Sequence, residues 1–162
     1  MWFENADGTG SLWEPRLAWQ DDPNLRITIA GDFNNDGLPD LVARIITSDD
    51  LHLRFNIDKA AAWSDAVVIS EPGLGLDIVS LTAADFNGDG LLDVMYGFRA
   101  HPRIDVAFNR ENGTVWETLQ IETPSTGVEA CDVADLDGDG DVDILFTTMQ
   151  AVYWLENVDG SG

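Results

Sequence analysis

The sequence predicts an all-β fold of four-stranded antiparallel propeller blades, with about three blade repeats in the chain. Three observations predict it: residue columns that recur at one period, apolar runs too short for helices, and an acidic loop that returns at one phase of the repeat.

The first column is the aspartate that opens "DFNNDGLPD", "DFNGDGLLD" and "DLDGDGDVD", at Asp32, Asp85 and Asp135, with intervals of 53 and 50. The second is an asparagine ending an apolar run, at Asn5, Asn56, Asn109 and Asn157, in steps of 51, 53 and 48. The third is Trp13, Trp63 and Trp116, each followed by an apolar segment that leads to the next aspartate motif. A large ring recurring beside apolar strands is expected to fill the wedge between neighbouring blades.

Within one unit the strands read "LRITIAGDF", "DLVARII", "LHLRFN" and "DAVVI", rich in β-branched and aromatic types and separated by Asp, Asn, Gly or Pro. Labelled a to d, they place the aspartate loop between a and b. The chain then reads as a c–d half blade over about 1–25, blades over about 26–76 and 77–126, and a partial a–b–c blade over about 127–162. The peptides "WFENADGTG" and "WLENVDGSG" near the two ends are almost the same, so strand c is supplied twice. Propellers close with about four to eight blades, so three would leave two open flanks. The expectation is therefore a head-to-tail homodimer, a six-bladed ring in which either 2–5 or 153–157 fills the shared c position.

Acidic residues outnumber basic ones 30 to 8, giving a formal charge of -22. Nucleic acid and anionic membrane surfaces would repel such a chain, and cations are its natural counterpart. Six Trp and seven Phe argue for a packed protein rather than a disordered acidic one. Cys131 is the only cysteine, which excludes an internal disulfide, and a buried structural thiol is expected. "MWFENADGTG" lacks the basic and apolar regions of a signal peptide.

Each acidic loop places oxygen-bearing side chains at positions 1, 3, 5 and 9: Asp32, Asn34, Asp36 and Asp40; Asp85, Asn87, Asp89 and Asp93; Asp135, Asp137, Asp139 and Asp143. Gly37, Gly90 and Gly140 at position 6 permit the sharp turn, and the carbonyls of Leu38, Leu91 and Asp141 at position 7 are candidate fifth ligands. Carboxylates held about 4 Å apart would repel by several kcal/mol at low effective dielectric, and a cation relieves that. Hard oxygen donors without thiolate or imidazole favour Ca²⁺, about three ions per chain. A helical EF-hand is excluded because its position 12 needs Glu and here holds Ala43, Tyr96 or Phe146.

The pattern D-x-[DN]-x-D-G-x-x-D between two strands, repeated along the whole chain, resembles the FG-GAP/VCBS-type repeats of integrin-like β-propellers, above all the bacterial extracellular ones. That resemblance implies structural calcium in the a–b loops and an extracellular or cell-surface setting. The Phe-Gly…Gly-Ala-Pro peptide itself is lacking, so integrin ligand recognition does not carry over. Clustered carboxylates are committed as ligands, and neither a nucleophile elbow nor a phosphate loop is present, so no enzyme is expected. The expected function is a calcium-stabilised scaffold for a protein or glycan partner. The alternative is a lectin using Trp side chains as stacking platforms.

Overall fold

The computed structural model describes residues 2–19, 24–73, 75–123 and 127–162. Thirteen strands are present and, among the described residues, no helix: β1 (Trp2–Asn5), β2 (Trp13–Arg16), β3 (Leu25–Gly31), β4 (Asp40–Ile45), β5 (Leu51–Arg54), β6 (Val67–Ser70), β7 (Ile78–Ala84), β8 (Asp93–Phe98), β9 (Arg103–Asn109), β10 (Trp116–Glu122), β11 (Ala130–Ala134), β12 (Asp143–Thr147) and β13 (Val152–Leu155). They form four antiparallel sheets in simple meander order: β1-β2, β3-β4-β5-β6, β7-β8-β9-β10 and β11-β12-β13. This all-β arrangement is consistent with propeller blades, and each strand pairs with its neighbour in the sequence. The expected boundary at 126 lies outside the described residues.

Strand ends follow local chemistry. The first strand of the second sheet stops at Gly31 rather than running on through Phe33, because the Asp32 carboxylate accepts the main-chain N–H groups of Asp36 and Gly37 and turns the chain. Trp13 and Trp116 open strands directly, paired with Asn5 and Asn109. Trp63 faces Asn56 only as an isolated bridge, and regular pairing resumes at Val67, so the strand expected from Asp65 starts later.

The second strands are buried on both faces, with every residue of β8 buried and every residue of β4 buried except Leu41, which is half-buried; buried Arg44 of β4 is paired with Asp49. Accordingly two cores lie between sheets rather than within them. One joins Phe33, Val42, Leu53 and Ile69 to Val94, Tyr96 and Ala107; the other joins Phe86, Met95, Val106 and Phe108 to Ile144 and Phe146. The first strands β3, β7 and β11 lie side by side. Gly97 sits where β11 crowds in, since a Cβ there would come within 2.8 Å of Val128 and of the Cys131 sulfur. Cys131 is packed against the second core, where burial pushes its thiol up to about 12.

The asparagine column locks one sheet to the next. Asn109 Nδ2 donates to the Leu92 carbonyl of its own loop and to the Phe33 carbonyl of the preceding one. Asn157 does the same with Val142 and Phe86. Their Oδ1 atoms accept the N–H of Gly113 and Gly162, fixing the next turn. The tryptophan column is less uniform than its sequence suggests. Trp116 packs on Phe33 with ring centroids 6.2 Å apart, as a wedge filler should, whereas Trp13 is 54% exposed.

One pair departs from the repeat. Where other units have Ala43 and His52, or the stacked Phe146 and Tyr153, the third sheet has Tyr96 and Asp105. Asp105 is buried beside Arg103, whose NH2 donates to it at 2.9 Å. Burial outweighs that pairing and raises its carboxyl to about 6.

Two outcomes follow. Asn109→Ala leaves two buried carbonyls without donors and should cost about 2–4 kcal/mol in chemical denaturation, whereas Asn5→Ala, at an exposed turn, should cost under about 1 kcal/mol. Folded Asp105 keeps its proton at pH values where an unfolded aspartate has lost it. Its contribution to stability is therefore full below the ordinary carboxylate range and lost as pH rises through about 6. Melting curves of Asp105→Asn against pH should be flatter across that window than those of the parent chain.

Candidate metal centre

The three aspartate loops join β3 to β4, β7 to β8 and β11 to β12, so all occupy the same edge of successive sheets. The first two touch directly: Asn35 Nδ2 donates to the Gly90 carbonyl at 3.2 Å. Each loop is a tight coil wound on its own carboxylates. Asp32 and Asp85 accept the N–H of positions 5 and 6, and Asp36 and Asp89 accept the N–H of position 7. Asn34 and Asn87 Oδ1 accept the N–H of Asp36 and Asp89, each at 3.0 Å. In the third loop Asp135 accepts from Gly138 and Gly140, Asp137 from Asp139, and Asp139 from Asp141.

The coil needs two left-handed residues. Position 6 carries φ of 86°, 86° and 102° at Gly37, Gly90 and Gly140, where an added Cβ would meet nothing, so the constraint is the backbone itself. Position 4 is also left-handed, at Asn35, Gly88 and Gly138, a feature sequence reading missed although Asn and Gly are the residues that tolerate it.

The ninth position differs from the others. Asp40, Asp93 and Asp143 are buried, and both oxygens of each accept main-chain N–H groups: one from position 2 of the same loop (Phe33, Phe86, Leu136), the other from the column asparagine (Asn56, Asn109, Asn157), all at 2.8–3.0 Å. Thus it ties loop, strand b and strand c together. Burial raises Asp40 and lifts Asp93 to about 6 despite these bonds. Asp143 has the same bonds and lies below the ordinary range, because its loop is on the open side, where Leu136 is 44% exposed and desolvation is weaker than the two donors.

Three carboxylates converge in the third loop, where oxygens of Asp135, Asp137 and Asp143 lie within 4.8 Å of one another. Such a spacing suits a hard cation about 2.3–2.6 Å from each oxygen. The fourth expected side chain there, Asp139, stands outside that triad and is exposed. The first two loops place an amide, Asn34 or Asn87, at position 3. Position 7, at Leu38, Leu91 and Asp141, is half-buried at the end of each coil. The fit to a cation rests on this donor chemistry: oxygens only, negative in excess, and crowded without a basic side chain among them.

The sequence matches the family described as FG-GAP-like repeat over residues 32–96 and again over residues 85–146, each match running from one aspartate loop into the strand after the next. No curated protein matches the chain.

The two kinds of loop aspartate should separate experimentally. In metal-free buffer Asp93→Ala strands two buried N–H groups and should cost about 2–4 kcal/mol. Asp89→Ala removes an exposed charge from a crowded loop and should leave metal-free stability within about 0.5 kcal/mol of the parent. Urea titrations of both variants in chelator check this.

Proposed function

The chain belongs to the FG-GAP-like repeat family, and from that premise we propose that it is a non-enzymatic β-propeller scaffold stabilised by calcium in its a–b loops, presenting its remaining loops to a protein or glycan partner. The observation that carries this reading is the convergence of the Asp135, Asp137 and Asp143 carboxylates in a loop whose pattern returns at Asp32 and Asp85. Ten of the thirty acidic side chains sit at ligand positions, and three calcium ions would move the formal charge from -22 to -16. Oxygen-only loops of this kind select Ca²⁺ over transition metals, and Mg²⁺ would have to give up waters it holds tightly.

The role of the ion is structural. Each loop is the only covalent link between strands a and b of its sheet, so neutralising it fixes the turn that aligns the strands. The proposal includes an extracellular or cell-surface setting, where loop sites of modest charge, binding calcium at about 0.1–1 mM, would be filled. A lectin reading is less well supported, since the Trp116 ring is already engaged with Phe33.

Calcium should raise the melting temperature in proportion to the logarithm of its concentration, about 2.7 kcal/mol of stabilisation at a hundredfold excess over the dissociation constant. EDTA should reverse it and equimolar magnesium should not reproduce it. The site at Asp135 should be the tightest, and Asp137→Asn should weaken it. Calorimetry that detects no calcium uptake at millimolar concentration would overturn the proposal.

A further inference from the structure

The second acidic loop holds a side-chain nitrogen that nothing engages. Asn87 stands at position 3, where the third loop has Asp137, and Gly88 follows it. Asn87 Oδ1 accepts the Asp89 N–H at 3.0 Å, an Asx turn that folds the side chain back over the Gly88 peptide. Its Nδ2 is buried and meets no acceptor among the described residues. In the first loop the matching nitrogen is tied down, since Asn34 Nδ2 donates to Asp36 at 2.9 Å.

The main-chain nitrogen beside it is equally uncommitted. Gly37, Gly90, Gly138 and Gly140 each give their N–H to the aspartate at position 1 of their own loop. Gly88 is the one glycine of the three loops whose N–H reaches no acceptor among the described residues. It is exposed, it has no side chain to shield its nitrogen, and a Cβ added there would meet nothing within 4 Å. The other Asn-Gly pair in the chain, Asn112–Gly113, is placed differently. There the Gly113 N–H is spent on Asn109 Oδ1 at 2.6 Å, and Gly113 is buried so tightly that a Cβ would come within 2.7 Å of Phe55.

We propose that Asn87 is a site of spontaneous deamidation, which converts the second loop to the carboxylate set of the third. The Gly88 nitrogen loses its proton to solvent base and bonds to Asn87 Cγ. Negative charge developing on Oδ1 is met by the Asp89 N–H that already donates to it. The Cγ–Nδ2 bond then breaks, Nδ2 takes up a proton and leaves as ammonia, and a five-membered succinimide remains. Water adding at Cγ restores the main chain with aspartate at position 87. Water adding at the main-chain carbonyl carbon instead routes the chain through the side chain as isoaspartate, one carbon longer. The aspartate product fits the coil, because Asp137 accepts the Asp139 N–H at 3.1 Å just as Asn87 accepts that of Asp89. The loop gains a fourth carboxylate beside Asp85, Asp89 and Asp93, and replacing one carboxamide by one carboxylate moves the formal charge from -22 to -23. No cation takes part, so the step stands apart from the calcium reading.

Peptide mapping by mass spectrometry tests this on the full chain, incubated in mildly alkaline buffer with chelator until a urea-unfolded sample has reacted at both Asn-Gly pairs. In urea Asn87 and Asn112 should react at similar rates, because the sequence around the scissile amide is the same. In the folded chain the peptide holding Asn87 should gain the mass of an amide-to-acid change and split into two isomers, well ahead of those holding Asn34 or Asn112, and its rate should rise with pH. On ion exchange one product of the aged chain should run with Asn87→Asp. Equal rates at Asn87 and Asn112 in the folded chain, or an Asn87 that stays intact there while the unfolded sample reacts, would overturn the inference. So would an aged chain without a species that runs with Asn87→Asp.

Discussion

A buried aspartate whose two oxygens accept main-chain N–H groups is the constraint on which the rest of this structure depends. Asp40, Asp93 and Asp143 each hold position 2 of an acidic loop with one oxygen and the column asparagine with the other. That asparagine in turn reaches across to the preceding sheet at Asn109 and Asn157. A single carboxylate therefore sets the loop's exit, the depth of the third strand and, through the amide, the spacing of two sheets. Removing water from a charged group is costly, and two charge-assisted bonds offset that cost at each site.

The same loops concentrate negative charge where the chain can least disperse it. In the third loop positions 1 and 3 crowd together with buried position 9, while position 5 stands outside them. Backbone N–H groups satisfy part of the carboxylate capacity, yet each ionised oxygen has a second lone pair, and oxygens of Asp135, Asp137 and Asp143 lie within 4.8 Å of one another. Structure and cation chemistry are therefore not alternatives for position 9: one oxygen can hold the backbone and face an ion at once.

Much of this was legible in the sequence because repetition multiplies weak signals. Strand order, the a–b position of the loops and the glycine at position 6 all follow from columns read at one period, and the sheets β3–β6, β7–β10 and β11–β13 reproduce that phase. What escaped was the meaning of the columns. The asparagines marked the period, but nothing local shows that Asn109 binds Phe33, 76 residues away. The tryptophans looked equivalent, and only packing distinguishes Trp116, wedged against Phe33, from the exposed Trp13. Tyr96 and Asp105 were not singled out from the sequence, because their pairing and burial depend on neighbours that only the fold supplies.

The central claim is that the three loops are calcium sites as well as turns. Anomalous diffraction from crystals grown in calcium tests it most directly. The expected result is one peak within each loop, at bonding distance from Asp135, Asp137 and Asp143 in the third and from the matching Asp and Asn oxygens in the others. Loops of unchanged shape with no anomalous peak at saturating calcium would contradict it, and would leave these aspartates as backbone clasps alone.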